Sequence, residues 1–154
     1  MALEHFVYIK AKKTMQVVVE EWFKDDTYDL EFVNSGLPHV IRANHPLFQV
    51  SFLDRTIKKP KKTVLGFMPT IAITFRMTHD QEKRRLGFEF LRRTTLSWLE
   101  NTTDEIVLLS NGDIGVALRV NDEILINPGW IAPKELEHFS LVYKEKPFEL
   151  WEFS

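Results

Sequence analysis

Residues 70–78 read TIAITFRMT, a stretch in which large apolar side chains alternate with small or polar ones. The large apolar residues occupy every second position, so they share one side of an extended chain. They are Ile71, Ile73, Phe75 and Met77. We therefore predict a strand over Thr70–Thr78 that buries one of its faces.

A long amphipathic helix is predicted directly after this strand, over Asp80–Glu100. At a repeat of about 3.6 residues, its apolar side chains fall on one stripe, opposite Glu89, Arg93 and Glu100. We expect this stripe to lie on the sheet. The stripe consists of Gly87, Phe88, Leu91, Thr95, Trp98 and Leu99.

Three further strands are predicted after the helix, joined as a meander. They are Glu105–Ser110, Ile114–Val120 and Glu123–Asn127. The sequences between them are Asn111-Gly112-Asp113 and Asn121-Asp122, and these residue types favour tight turns because they tolerate positive φ angles.

The first part of the chain supplies more strands and a second helix. Leu3–Ala11 is apolar on both faces, which predicts an inner strand. Thr14 is placed to cap a helix that runs to about Asp25. Two later segments alternate apolar and polar residues and are predicted as strands. They are Tyr28–Val33 and Phe48–Leu53.

The order of these elements predicts one α+β domain over residues 1–154. Runs of strands with isolated helices favour a largely antiparallel sheet of six to seven strands with two main helices packed on one face, in the order β-α-β-β-β-α-β-β-β. Leu37–Pro46 shows no pattern beyond the start of a short strand at Val40-Ile41, and the aromatic tail is expected to pack as an edge strand. The other face of the sheet would then be free to bind.

The composition favours a cytoplasmic protein with one hydrophobic core. The chain has 154 residues, of which 44% are hydrophobic and 27% charged. No apolar run approaches the ~18 residues that span a bilayer, so we expect no membrane association. The N-terminus lacks the pattern of a signal peptide. The absence of cysteine agrees with a reducing compartment.

No motif for catalysis or cofactor binding is present in the sequence. The five histidines lack the spacing of a helical metal site, and neither Gly-x-Ser-x-Gly nor Gly-x-x-x-x-Gly-Lys occurs. His39 and His45, six residues apart, come nearest to a metal-binding pair. We therefore expect no catalytic residue, no metal and no cofactor. A small enzyme with an unrecognised site stays open as an alternative.

The charge of the chain is distributed unevenly. Residues 54–93 carry eleven Lys and Arg against four Asp and Glu, a balance of +7, so the remainder carries −9 to reach the net charge of −2.

A basic loop over residues 55–62, interrupted by a proline, could contact a nucleic-acid backbone. It lacks the aromatic residues that stack on bases, so we expect weak binding. A nucleic-acid-associated accessory domain that uses residues 55–62 is a second alternative. The lysines of this loop are Lys58, Lys59, Lys61 and Lys62.

A contact with a partner protein is predicted on the long helix. Leu86 and Phe90 lie one turn apart but outside the apolar stripe, so each needs either a second internal neighbour or a partner. The basic residues around them would face an acidic rim on that partner. These residues are Lys83, Arg84, Arg85 and Arg93.

Several stretches resemble a known protein family. They are Leu65–Arg76, Asp104–Gly112, Leu118-Arg119, Leu125–Asn127 and Trp130, with Met1–Glu4 at the start. Together they resemble the third type of immunity protein to swarming-inhibition toxins, which are small cytosolic bacterial proteins encoded beside polymorphic toxins. The resemblance implies a non-catalytic protein that binds and neutralises a cognate toxin domain. The shared residues are typical of turns and strand ends, so they indicate fold more than a binding site. Neither the activity of the toxin nor the oligomeric state follows from the sequence.

Overall fold

A computed structural model describes residues 3–56 and 66–149 of the chain. In these residues the chain forms nine strands and three helices. The strands are β1 (Glu4–Lys10), β2 (Glu31–Val33), β3 (Val40–His45), β4 (Phe48–Asp54), β5 (Ile71–Met77), β6 (Glu105–Ser110), β7 (Ile114–Val120), β8 (Glu123–Ile126) and β9 (Lys144–Glu145). The helices are α1 (Met15–Trp22), α2 (Gln81–Asn101) and α3 (Pro133–Leu136). None of these helices is long and apolar enough to cross a membrane.

The strands form one sheet in the order β2-β3-β4-β5-β1-β6-β7-β8-β9. All described neighbours are antiparallel except β8 and β9, which are parallel. β1 lies at the centre, hydrogen-bonded to β5 along one edge and to β6 along the other, and each of its faces packs against an apolar cluster. This confirms the inner position that its two apolar faces predict. The α+β class and the largely antiparallel sheet are also confirmed.

The sheet is larger than the six to seven strands predicted. Val40–His45 forms a strand of six residues. Its alternation of apolar and polar residues is hard to recognise in the sequence, because the inward positions include the small Ala43 and the polar His45. β9 lies at the other end of the sheet, in the tail predicted to pack as an edge strand, but it has only two residues, too few for a recognisable period. The tail from residue 150 onward lies outside the described residues. Conversely, β2 is shorter than predicted, because the Tyr28 N–H donates to Asp26 Oδ1 in a turn at 3.0 Å.

Both predicted helix starts are confirmed by their caps. The Val17 N–H donates to Thr14 Oγ1 at 3.5 Å, and the Lys83 N–H donates to Asp80 Oδ1 at 2.9 Å. α1 ends at Trp22, three residues before the predicted end. The chain turns there, and the Asp26 N–H donates to the carbonyl of Phe23.

The predicted stripe of α2 faces the sheet. All of its members are buried except Phe88, which is half-buried and stacks on His5 with ring centroids 4.4 Å apart. Leu96 is also buried, although it lies outside the stripe. It sits one turn from both Arg92 and Glu100, which bond to the chain segment around α3. That segment covers a second flank of the helix.

The face of the sheet opposite the helices is only partly open, in contrast to the expectation of a free face. A second apolar cluster covers it around β6 and β7, through Phe67 from the connection before β5 and Phe148 from the segment after β9. The region around β3, β4 and β5 remains a shallow polar depression. It is lined by Arg42, Asn44, Gln49, Ser51, Thr74 and Arg76.

His5 is a titratable group inside the core. Its side chain is buried below α2, and its Nδ1 has no hydrogen-bond partner among the described residues. Burial lowers the pKa of His5 from 6.5 to about 4, and the positive charge of Arg92 adds to the effect. His5 is therefore neutral in the folded protein at neutral pH.

Acidification should destabilise the protein through His5. Between about pH 6.5 and pH 4 the unfolded chain binds a proton at this position and the folded protein does not, so the free energy of unfolding should fall by about 3 kcal/mol. The variant His5→Leu should lose this part of the pH dependence, which denaturant unfolding at several pH values measures. The exposed His138, replaced by Leu, is the matched control. Equal slopes for wild type and His5→Leu would contradict the assignment.

Candidate protein-binding site

An open groove of about 630 Å³ lies between α1, the turn that follows it, and α2. Its floor is apolar, whereas its rim carries charges of both signs. Such a mixture is typical of a protein contact, in which an apolar centre is surrounded by polar groups. Residues from the two sides include Lys24, Tyr28, Leu86, Phe90, Arg93 and Ser97.

Leu86 and Phe90 line this groove and also have internal neighbours. Both are half-buried against the main core. The Phe90 ring stacks on Phe23, with centroids 5.8 Å apart and an interplanar angle of 11°. It also lies 5.8 Å from the ring of Phe48. One side of each residue therefore has an internal neighbour, while the other side reaches the groove. A contact of that side with a partner stays a prediction.

The basic residues predicted to surround Leu86 and Phe90 do not all lie at the groove. The Arg93 side chain, 70% exposed, lies at the rim of the groove, with its nearest carboxyl group, that of Glu89, 3.9 Å away. Arg85 is exposed and pairs with Glu82 and Glu89. Lys83 is exposed in the first turn of α2.

Two parts of the predicted surface do not join the groove. Arg84 is half-buried and donates to the carbonyl of His79 at 2.9 Å, so it reaches back along the chain. The lysines of the basic loop, Lys58, Lys59, Lys61 and Lys62, lie outside the described residues. The structure therefore brings together Leu86, Phe90 and Arg93.

A buried polar pair, which the sequence does not reveal, holds the turn that forms one wall of the groove. His45 Nε2 lies 2.7 Å from Asp26 Oδ2, and their side chains are 0% and 3% exposed. The Leu47 N–H donates to His45 Nδ1 at 3.0 Å, so the proton of the neutral ring is on Nε2 and points at Asp26. The pair joins the turn after α1 to the β3–β4 hairpin. No local pattern marks it, because its members are 19 residues apart in the chain.

These contacts limit the proton transfer that His45 could perform. Burial lowers the pKa of His45, although the hydrogen bond and charge of Asp26 oppose the shift. Both ring nitrogens are occupied, which leaves neither in position to exchange a proton with a substrate. His39 precedes β3 and His45 is its last residue, so the two lie ~20 Å apart along the strand and cannot share a metal ion. The described residues contain no cluster of three potential metal ligands.

A family model described as SitI3-like matches residues 42–134, from within β3 to within α3. The chain belongs to the SitI3-like family. This is the third type of immunity protein to swarming-inhibition toxins, so the predicted resemblance is confirmed. Neither a curated protein nor a solved structure matches the chain. The matched region of this SitI3-like protein includes the α2 wall of the groove and His45, but not α1 or Asp26.

Several described residues that carried the resemblance act as scaffold in this SitI3-like chain. Arg119 donates to the carbonyls of Leu99 and Thr102, which closes the C-terminal end of α2. Asn127 Nδ2 donates to the Gly115 carbonyl at 2.8 Å, which ties β7 to the end of β8. At the β6–β7 turn, Asn111 and Gly112 have the positive φ angles that the turn requires. These contacts account for family-typical residues without a binding or catalytic role.

Proposed function

We propose that this SitI3-like protein is a non-catalytic immunity protein that binds one cognate toxin domain in the bacterial cytoplasm and blocks its active surface. Membership in the immunity-protein family is the observation that carries this proposal. An inhibitor that acts by covering a toxin needs a complementary surface and no catalytic group of its own. The α1–α2 groove offers such a surface.

The groove suits the proposed contact because its apolar floor is already ordered. Phe90 is held by its stacking on Phe23, so it loses little conformational freedom when a partner covers it. Arg93 supplies positive charge at the rim, and Lys83 and Arg85 supply more nearer the N-terminal end of α2. We propose that these residues face an acidic rim on the toxin, which would raise the association rate.

Co-expression with the toxin domain encoded beside this gene tests the proposed function. Cells that produce the toxin domain alone should stop growing, and cells that also produce this protein should grow. A toxin domain from an unrelated system is the control, and growth should not be restored there. If the neighbouring toxin domain remains equally toxic in the presence of well-folded protein, the proposal is wrong.

Replacing Arg93 with Glu should slow association with the toxin domain by roughly tenfold at low salt, because the change reverses a rim charge. The free energy of unfolding should change by less than about 0.5 kcal/mol, since the side chain is exposed. Stopped-flow association at two salt concentrations measures the effect. Lys146→Glu, an equal charge change on an exposed residue beyond β9, is the control. Equal rates for the two variants would remove Arg93 from the contact surface.

The nucleic-acid alternative depends on residues 55–62, of which the structure describes Arg55 and Thr56. The Arg55 guanidinium lies over the Tyr8 ring, 5.9 Å from its centroid. This cation therefore packs on the protein itself. The alternative stays a prediction from the sequence, with no contact among the described residues that favours it over toxin binding.

A further inference from the structure

The edge of the sheet at β2 carries the densest group of exposed apolar side chains in the described chain. Phe32 is 57% exposed and Val33 is 44% exposed, and two more exposed residues, Tyr28 and Leu37, flank them. β2 pairs with β3 on one side and forms the end of the sheet on the other. The outer side of such a strand presents unpaired backbone N–H and C=O groups, which can bind a further strand.

The same edge carries acidic side chains without described partners. Asp29 and Glu31 are exposed, as is Asp25 in the adjoining groove, and none of the three forms an ion pair with another residue of the described ranges. A row of uncompensated carboxylates attracts a basic partner and repels an acidic one. The chemistry of the edge therefore favours a segment that combines apolar residues with Lys or Arg.

The β2 edge is continuous with the groove proposed as the toxin contact. Tyr28 lines the groove and packs against His45, with ring centroids 5.1 Å apart. Phe32 lies opposite Ala43, which is buried in the main core, so Phe32 is on the face of the sheet that the helices cover. A partner bound in the groove would therefore contact Tyr28 and could extend from there to β2.

We propose that the toxin contributes an extended, basic segment that pairs with the outer side of β2. Side chains of the segment would alternate between the two faces of the enlarged sheet. An apolar residue would pack against Phe32 on one face, and a Lys or Arg would lie beside Glu31 on the other. This inference rests on the proposed function, and it names the secondary structure and the charge of the toxin segment at β2, which is separate from the acidic rim proposed to face Arg93.

A second copy of this chain fits the edge less well. Pairing of β2 with β2 of another copy would be isologous, so the same surface would meet itself. Asp29 and Glu31 of both copies would then share one small interface, where like charges on neighbouring strands are destabilising. A basic partner segment removes this repulsion.

Binding of the purified toxin domain, encoded beside this gene, to variants of β2 tests the inference. Phe32→Ser should weaken the affinity by roughly tenfold or more, and so should the double variant Asp29→Lys/Glu31→Lys. Val142→Ser, at a residue that is 95% exposed, is the control for Phe32. Asp113→Lys/Glu137→Lys, at exposed acids elsewhere, is the control for charge reversal. In the wild-type complex, amides of residues 31–33 should gain protection from hydrogen exchange.

The outcomes separate this inference from the proposed function. If the wild type does not bind the toxin domain, the proposed function fails and this inference fails with it. If the wild type binds, and folded β2 variants bind equally well with no added protection at residues 31–33, only the edge-pairing inference is overturned. A wild-type dimer in sedimentation that Phe32→Ser converts to a monomer would assign the edge to a second copy and would also overturn it.

Discussion

Replacing Gly115 with Ala should displace Phe148 from its buried site on the sheet and destabilise the protein. A Cβ atom at this position would lie 2.0 Å from Cε2 and 2.1 Å from Cδ2 of Phe148, far inside contact distance. The Phe148 ring is buried in the second apolar cluster, so it must leave that site. Loss of a buried Phe side chain costs about 3–5 kcal/mol. The Gly115 N–H bond to the Phe148 carbonyl, 2.9 Å long, would also be disturbed.

A double-mutant cycle distinguishes this steric cause from a general effect on β7. With Phe148 already replaced by Ala, the space beside Gly115 is free, so adding Gly115→Ala should cost less than about 1 kcal/mol. Denaturant unfolding of the four proteins measures both values. Additive losses in the cycle would contradict the proposed clash, because two independent changes would then be at work.

Replacing His45 with Ala should destabilise the protein by about 3–5 kcal/mol, because it removes one member of a buried pair. Asp26 would remain nearly inaccessible to solvent without its partner, and the Leu47 N–H would lose its acceptor. The change would also remove an aromatic ring that stacks on Phe48 with centroids 4.2 Å apart. The turn at residues 24–28 should then loosen, and with it one wall of the groove.

Two comparisons make the His45 prediction specific. Asp26→Asn keeps one of the two oxygens that accept from His45 Nε2 and from the Tyr28 N–H, so it loses one of these hydrogen bonds and should cost less, about 2 kcal/mol. His138→Ala changes an exposed histidine and should be nearly neutral. Because the pKa of His45 is lowered, its contribution is present above about pH 6.5 and declines on acidification. A loss below about 1 kcal/mol for His45→Ala would show that the pair does not hold the turn.

The sequence by itself determined the elements whose signal is local. Alternation over residues 70–78 and the stripe of α2 predict the strand, the helix and their buried faces, since both periods are properties of neighbouring residues. Thr14 and Asp80 mark helix starts because a cap bonds to an amide three residues away. Asn111-Gly112 marks its turn for the same local reason. Some family-typical residues, Asn111 and Gly112 among them, belong to such turns.

Only the tertiary structure decided which segments meet. No local sequence pattern predicts that β1 lies between β5 and β6, that residues 40–45 form the complete strand β3, or that β2 lies at the edge of the sheet. Three contacts likewise join residues that are distant in the chain. They are the stacking of Phe90 on Phe23, the close approach of Phe148 to Gly115 and the pairing of Asp26 with His45. Burial and partner choice are set by packing between elements, and packing depends on the strand order of the whole sheet.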